Sequence, residues 1–221
     1  MALNKLKFNS INVTPAANEA LKFNSSANGF ETGSAGGAMT FIKKLTASSS
    51  STLSFVDGSS DVVLDNTYKE YLFIFKNIHP SSDSATFSFN FSADTGSNYN
   101  VTKTSSFFEA FHSENDAIAA VQYASSHDLA QSTDFQKITS GLGSDNDQCC
   151  DGFLSLFNPS DTTFVKHFIG TTASYYAGDY VQQDSFAGYA NTTSAVDAVQ
   201  FKMASGNIDA GTVKLYGIKD S

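Results

Sequence analysis

Apolar and polar residues alternate with a period of two along much of this chain, which predicts β-strands. The first clear run, 71–76, is aromatic or branched at every position before Lys76 and predicts a central strand covered on both faces. The second run, 85–91, alternates Phe with Thr, Ser and Asn, which predicts one face in a core and the other in water. Because His79-Pro80-Ser81-Ser82-Asp83 between them consists of turn-forming residues, we expect the two runs to pair as an antiparallel hairpin.

Similar runs continue to the C-terminus and predict an all-β domain. We expect separate strands at 152–157, 163–170, 173–180 and 185–189, followed by the clearest alternation at 199–203 and 213–216. We interpret 117–124 as a strand rather than a helical turn, and 125–151 as surface loop with a short strand at 135–138. About ten strands with frequent turns are typical of an antiparallel two-sheet sandwich. We predict the jelly-roll type, with little helix.

The first 37 residues differ from the rest and predict an arm that precedes a sandwich domain at 38–221. The motif Leu-Lys-Phe-Asn-Ser occurs at 6–10 and again at 21–25, although chance and composition are an alternative for so short a repeat. Gly, Ser and Asn within 28–38 indicate a flexible hinge. The arm is too apolar for a solvated tail, so we expect it to dock on another protein through Leu6, Phe8, Ile11, Val13, Leu21 and Phe23.

Composition narrows the class of function. With 221 residues, 20 Phe, nine Tyr and no Trp, the chain suits one large β-domain plus an appendage. Its 13 basic residues are all Lys and face 22 acidic residues, for a net charge of −9. Such a chain repels phosphate backbones, so we expect no nucleic-acid partner. The start lacks a secretory signal and no stretch is long enough to span a bilayer, so we expect no membrane insertion.

Few residues are arranged for catalysis. There is no Gly-x-Ser-x-Gly elbow and no zinc motif, and the four His residues are scattered. Asp145, Asp147 and Asp151 could offer oxygen ligands, but their spacing is that of a solvated turn rather than an EF-hand, and adjacent Cys149 and Cys150 have no basic neighbour. We therefore expect no catalytic residue, no metal and no cofactor. A carboxylate pair for glycan cleavage is a spatial feature that spacing does not reveal.

Four tyrosines fall close together late in the chain. Tyr presents a rigid apolar ring with a polar tip, which suits contact with a glycan or a protein. The alternative is that these residues occupy ordinary strand positions. The candidate recognition residues are Tyr175, Tyr176, Tyr180 and Tyr189.

Several segments resemble small virion structural proteins of marine tailed bacteriophages. They are INVTPAA (11–17), ALKFNS (20–25), GFET (29–32), TFVKHF (163–168), NTTSA (191–195) and SGNIDAGTVKLYGI (205–218). The resemblance spans most of the chain and its motifs are structural. It implies a component of the virion that docks on other virion proteins through its N-terminal arm and forms a homo-oligomer, with a trimer favoured.

Our hypothesis from sequence is therefore a non-enzymatic virion protein, a tail fibre or tail-associated protein with host-surface contact. Two alternatives stay open: a capsid decoration protein, and a glycan-binding or glycan-cleaving β-sandwich. Fold alone does not separate them. The adhesion role predicts that Tyr180 and Tyr189 form an exposed cluster.

Overall fold

Antiparallel β-strands make up the regular structure of this protein. The computed structural model describes residues 13–14, 19–33 and 37–220, and no helix occurs among them. Within that part of the chain, there is accordingly no helix long and apolar enough to cross a membrane. The chain divides into two units, Met1–Ala38 and Met39–Ser221. The boundary that we predicted after residue 37 lies one residue before this division.

The first unit contains a short hairpin of β1 (Ala20–Phe23) and β2 (Phe30–Gly33). Asn28 and Gly29, which we expected in a hinge, belong to the turn of this hairpin, where the Asn24 amide donates to the Gly29 carbonyl at 2.9 Å. The Phe23 and Phe30 rings stack at 5.0 Å and stay exposed. Of the predicted docking residues, Val13, Leu21 and Phe23 are described, whereas Leu6, Phe8 and Ile11 lie outside the described residues.

The second unit is a β-sandwich of an eight-stranded and a four-stranded antiparallel sheet. The large sheet has the order β3-β14-β5-β10-β11-β12-β7-β8 and the small sheet the order β4-β13-β6-β9. The strands are β3 (Met39–Thr46), β4 (Leu53–Val56), β5 (Glu70–Pro80), β6 (Phe87–Ser92), β7 (Lys103–Ser113), β8 (Ala119–Tyr123), β9 (Gln136–Lys137), β10 (Cys150–Phe157), β11 (Lys166–Tyr176), β12 (Tyr180–Ala190), β13 (Ala198–Met203) and β14 (Ile208–Ile218).

The predicted hairpin around His79-Pro80 is wrong, although both of its strands exist. Strand β5 lies inside the large sheet between β14 and β10, and β6 lies inside the small sheet between β13 and β9. The two strands face each other across the core, where the Phe75 and Phe87 rings meet edge to face at 5.3 Å. Two aromatic faces bury more surface by opposing each other in two sheets than by sharing one sheet face.

The exposure that we predicted for the two runs is also corrected. On β5, Leu72 and Ile74 are only half-buried, so the outer face of this strand is not covered. On β6, Ser88 and Asn90 are buried rather than solvated. The Asn90 amide donates to the Tyr99 and Thr133 carbonyls at 2.7 and 2.9 Å, and its oxygen accepts from the Lys103 ammonium group. These polar groups are buried because each has a partner.

An aromatic cluster forms the centre of the core. The Phe201 ring on β13 lies between Phe73 and Phe75 of the large sheet, at 5.4 and 5.3 Å, and Phe55, Phe87 and Phe89 of the small sheet, at 6.2, 5.8 and 6.4 Å. Each such ring pair adds about 0.5–1.5 kcal/mol beyond the burial of its area. The cluster therefore joins the two sheets.

Other predicted strands exist, but their bounds differ from the predicted ones. The segment 117–124 does contain a strand, β8. The runs 163–170 and 173–180 are not two strands, because β11 continues without a break through Gly170 to Tyr176.

On β11, Lys166 points inward and is fully buried, while His167 is exposed. The Lys166 ammonium group donates to the Phe164 and Thr192 carbonyls, each at 3.1 Å, which permits its burial.

Candidate functional site

A cavity of about 460 Å³ opens beside strands β7, β8 and β12. One part of its wall is aromatic, with Phe111, Tyr176 and Tyr180. Another part is polar, with side chains of Glu109, Gln122, Ser140 and Gln182. The segment Ala124–His127 closes the remaining side. Concave sites with apolar walls and a few convergent polar groups are the usual form of small-ligand sites.

The aromatic wall is a stack of three rings. The Tyr176 and Tyr180 rings are almost parallel, with centroids 5.3 Å apart and an interplanar angle of 6°. The Phe111 ring continues the stack on Tyr180 at 6.1 Å and 24°. Stacked aromatic rings hold one another in place and present flat apolar surface with little side-chain entropy to lose.

The turn between β11 and β12 positions the two tyrosine rings of this stack. Three residues, 177–179, connect the strands, and Asp179 adopts a φ of 60°. A three-residue hairpin with its last residue in the left-handed region fixes the register, and here it places Tyr176 directly opposite Tyr180. Gly141 leaves room for the wall, since a Cβ at this position would lie 2.7 Å from Cε2 of Tyr176.

Two carboxyl groups form the base of the polar wall. Glu109 on β7 and Asp184 on β12 are cross-strand partners, and both point toward the core. The Ser140 hydroxyl donates to Oε1 of Glu109 and lies 3.4 Å from Oδ1 of Asp184, while the Ser140 amide donates to Oδ2 of Asp184 at 3.2 Å. Side-chain amides complete the network: Gln122 donates to Glu109 at 2.9 Å and Gln182 to Asp184 at 2.8 Å.

The two carboxyl groups differ in access to the cavity. Glu109 lines the cavity and is 7% exposed, whereas Asp184 is 0% exposed and lies beneath the lining. Burial raises the pKa of Asp184 to about 7, and the nearby Glu109 charge contributes to the rise, against the lowering effect of the Gln182 hydrogen bond. Burial and the neighbouring carboxylate thus favour the protonated form of Asp184.

His127 borders the cavity as a neutral ring. Burial lowers its pKa, and the Lys137 charge lowers it further, which outweighs the raising effects of Glu109 and Asp128. Its Nδ1 atom lies 3.8 Å from Oε1 of Glu109 and 2.9 Å from the Ser126 hydroxyl. With the imidazole uncharged, its approach to Glu109 is not an ion pair, and Glu109 remains the charged group of the lining.

The four candidate tyrosines do not form one cluster. Tyr176 and Tyr180 line the cavity, whereas Tyr175 is opposite Val181 on the other side of the sheet, and its hydroxyl donates to Glu114 at 2.8 Å. Tyr189 is at the other end of β12, with its ring 6.2 Å from that of His167. Tyr180 and Tyr189 are each half-buried, so the exposed pair that we expected for adhesion is not present.

The acidic segment 145–152 forms a turn that leads into β10. Asp151 accepts from the Asn77 amide at 2.8 Å, and the Gln148 amide donates to the Asp145 carbonyl at 2.8 Å. Among the described residues, no group of three or more His, Cys, Asp or Glu side chains is placed to hold a metal ion. Burial raises the pKa of both the Cys149 and Cys150 thiols, which keeps them protonated.

Sequence reasoning missed the polar half of this cavity, although a signal for it exists. Along β7, the alternation puts Glu109 on the same side of the strand as Phe107 and Phe111. Along β12, it puts Asp184 on the same side as Phe186. A carboxylate at a core-facing position is rare unless it has partners. Partners from β8 and from the loop at Ser140 are distant in sequence and could not be assigned by spacing.

No protein family, no curated protein and no solved structure matches this chain. Its function is therefore inferred from the cavity itself.

Proposed function

We propose that the sandwich domain binds an uncharged carbohydrate in the cavity between β7, β8 and β12. The observation that carries this proposal is the stack of Phe111, Tyr180 and Tyr176 beside the polar side chains of Glu109 and Gln122 in one cavity of about 460 Å³. A sugar ring has an apolar face of C–H groups and a rim of hydroxyls. The two walls match these two surfaces, since aromatic rings pack on C–H groups and carboxylate and amide groups bond hydroxyls.

The charge of the cavity favours a neutral sugar over an acidic one. Glu109 is the charged group of the lining, Asp184 lies beneath it, and His127 is neutral. The Lys137 charge acts on His127, but Lys137 is not a lining residue, and its ammonium group donates to the Ser126 carbonyl at 2.9 Å. A sialic acid, a uronic acid or a sulfated sugar would bring a second negative charge to a partly buried carboxylate, which is unfavourable.

The arrangement supports binding more than cleavage. The observation that favours a glycan-cleaving enzyme is the close pair of Glu109 and Asp184, because glycosidases use two carboxyl groups. In those enzymes both groups reach the scissile bond, whereas Asp184 is sealed below the lining. We therefore propose a non-enzymatic role. Release of reducing sugar from a bound oligosaccharide, abolished by Glu109→Gln, would instead support the enzyme.

Strand order supports assignment of the sandwich to the jelly-roll type. A jelly roll divides eight strands, B to I, between the sheets B-I-D-G and C-H-E-F. The small sheet has this order if β4, β13, β6 and β9 correspond to B, I, D and G. In the large sheet, β5, β12, β7 and β8 then correspond to C, H, E and F, with the β10–β11 hairpin inserted between C and H.

In a virion, we propose that the arm docks on a head or tail protein and that the sandwich faces outward with its cavity toward a host-surface glycan. The exposed Leu21, Phe23 and Phe30 of the arm hairpin support a docking role, because exposed apolar clusters are typical of interaction sites. Cryo-electron microscopy of intact particles should locate the chain on the particle surface. Its absence from purified particles would remove the virion role and leave the binding proposal intact.

Loss of one aromatic wall should weaken binding. A neutral oligosaccharide selected on a glycan array should bind the Tyr180→Ala variant at least about tenfold more weakly in calorimetric titration, since a central aromatic contact accounts for more than about 1.4 kcal/mol. Tyr189→Ala is the matched control: the same substitution on the same strand, outside the cavity. Equal effects of the two substitutions, or no neutral ligand on the array, would contradict the proposed site.

A further inference from the structure

A broad part of the large sheet presents apolar side chains to solvent. On the side away from the small sheet, six large apolar side chains of five adjacent strands are between 39% and 78% exposed: Phe153 of β10, Ile169 of β11, Val181 of β12, Phe108 of β7, and Val121 and Tyr123 of β8. We name the outward side of these five strands the outer face. A soluble antiparallel sheet usually carries polar residues on a solvated side.

The strand register makes the outer face continuous. One row crosses the sheet through Phe153, Thr171, Ser185, Phe108 and Tyr123, each opposite the next. The adjacent row runs through Ser155, Ile169, Ala187 and Ser106. Small and hydroxyl residues between the large ones leave shallow depressions, and one of about 320 Å³ lies between Phe108, Phe153 and Ile169.

The outer face is also almost free of charge in a strongly acidic chain. Among the outward residues of its five strands, Asp151 is the single acidic or basic one, with His112 and His167 as further titratable groups. The neighbouring part of the same sheet differs, because Lys44, Lys76 and Lys214 point outward from β3, β5 and β14. Carboxyl groups from outside the five strands border this face: Glu70 accepts from Ser155 at 3.0 Å, and Asp128 accepts from Tyr123.

The size of the outer face fits a protein interface. Five strands at a spacing of about 4.8 Å, with eight to eleven residues in the longer ones, span roughly 24 by 30 Å, on the order of 700 Å². This total area approaches the ~800 Å² that each partner contributes to a standard interface.

We propose that the outer face binds the outer face of a second copy of this chain, so that the protein is a two-fold dimer. Two molecules of net charge −9 repel each other, and contact through this face places few charged groups between them, because the carboxyl groups that border the face come from outside its five strands. A flat face that contacts itself gives an isologous, closed pair, and sheets stack face to face about 10 Å apart. Strands β7 and β12 line the cavity from their opposite side, and Tyr123 of the edge strand β8 is the one of the six outer-face residues that also borders it.

Sedimentation velocity of the full chain at micromolar concentration tests this dimer. The wild-type protein should have twice the 23.6 kDa mass of one chain. Ile169→Lys should weaken association at least about tenfold and give monomer, because it places two like charges within the contact. Phe164→Lys is the matched control: it changes a 71% exposed apolar residue outside the five strands and should leave the dimer intact.

A folding control and a second variant separate loss of the dimer from misfolding. Circular dichroism and the unfolding midpoint of Ile169→Lys should match the wild type, and Val181→Lys, at another exposed point of the same face, should repeat the loss of dimer if Ile169→Lys folds poorly. A monomeric wild type, a mass of three chains, or a dimer that survives both lysines would overturn the proposal. Any of these results would leave glycan binding untouched, since the cavity does not involve Ile169 or Val181.

Discussion

Replacing Asp184 with Asn should stabilise the folded protein by about 2–4 kcal/mol at pH 8 and by much less near pH 4. In the folded protein the pKa of Asp184 is raised to about 7, because the carboxyl is fully buried and lies beside Glu109. Asparagine is similar in shape and cannot ionise. It therefore removes the cost of a buried charge and keeps an acceptor oxygen for Gln182, while the loss of the second oxygen, which accepts from the Ser140 amide, reduces the gain.

The direction of this pH dependence follows from proton binding. In the unfolded chain an Asp releases its proton near pH 4, whereas in the fold Asp184 retains it until about pH 7. Between these values the folded state binds more protons than the unfolded state, so the wild-type contribution to stability falls as pH rises and stays low above pH 7. Low pH therefore favours the fold through this group.

Urea denaturation of both proteins at pH 4.5 and pH 8 measures the difference. As a control, Asp147→Asn alters an exposed residue and should change the free energy of unfolding by less than about 0.5 kcal/mol at either pH. Equal stability of wild type and Asp184→Asn at pH 8 would show that the Glu109–Asp184 pair is not strained by charge.

Replacing Phe201 with Ala should destabilise the sandwich by about 3–5 kcal/mol. The ring is fully buried and contacts five other Phe rings from both sheets, so its removal leaves a cavity where the two sheets are joined. Since domains are commonly stable by only about 5–15 kcal/mol, the variant should unfold at much lower urea concentration. The transition is measured by circular dichroism.

Phe164→Ala is the matched control, because it removes the same side chain from an exposed position. Its free energy of unfolding should stay within about 0.5 kcal/mol of the wild type. A similar loss for both substitutions would mean that Phe201 is not the junction of the core.

The fold class could be predicted from sequence because it depends on local alternation. Phe73, Phe75, Phe87 and Phe89 occupy the buried sides of their strands, as their period of two requires. Strand pairing depends on which surfaces meet in space, and there the prediction failed. The turn-forming residues from His79 to Asp83 predict a hairpin, but the chain leaves β5 after Pro80 and passes from the large sheet to the small one.

The candidate site was only half predictable for the same reason. Tyr176 and Tyr180 stand out in sequence, and the turn between them makes them partners. The polar groups of the site come together through pairing of β7 with β8 and β12 and through a loop from the other sheet. These groups are Glu109, Gln122, Ser140 and Asp184. Tyr189 resembles Tyr180 in sequence, yet the length of β12 carries it to the opposite end of the strand.

Binding of a neutral glycan in the cavity is tested most directly by NMR titration of the isotopically labelled full chain with a neutral oligosaccharide. Saturable chemical-shift changes are expected at Glu109, Phe111, Gln122, Tyr176 and Tyr180, with none at Tyr189. An acidic oligosaccharide of equal length should produce much smaller changes, because it opposes the charge of Glu109. The absence of saturable shifts at these residues, or shifts confined to other parts of the sandwich, would contradict carbohydrate binding at this site.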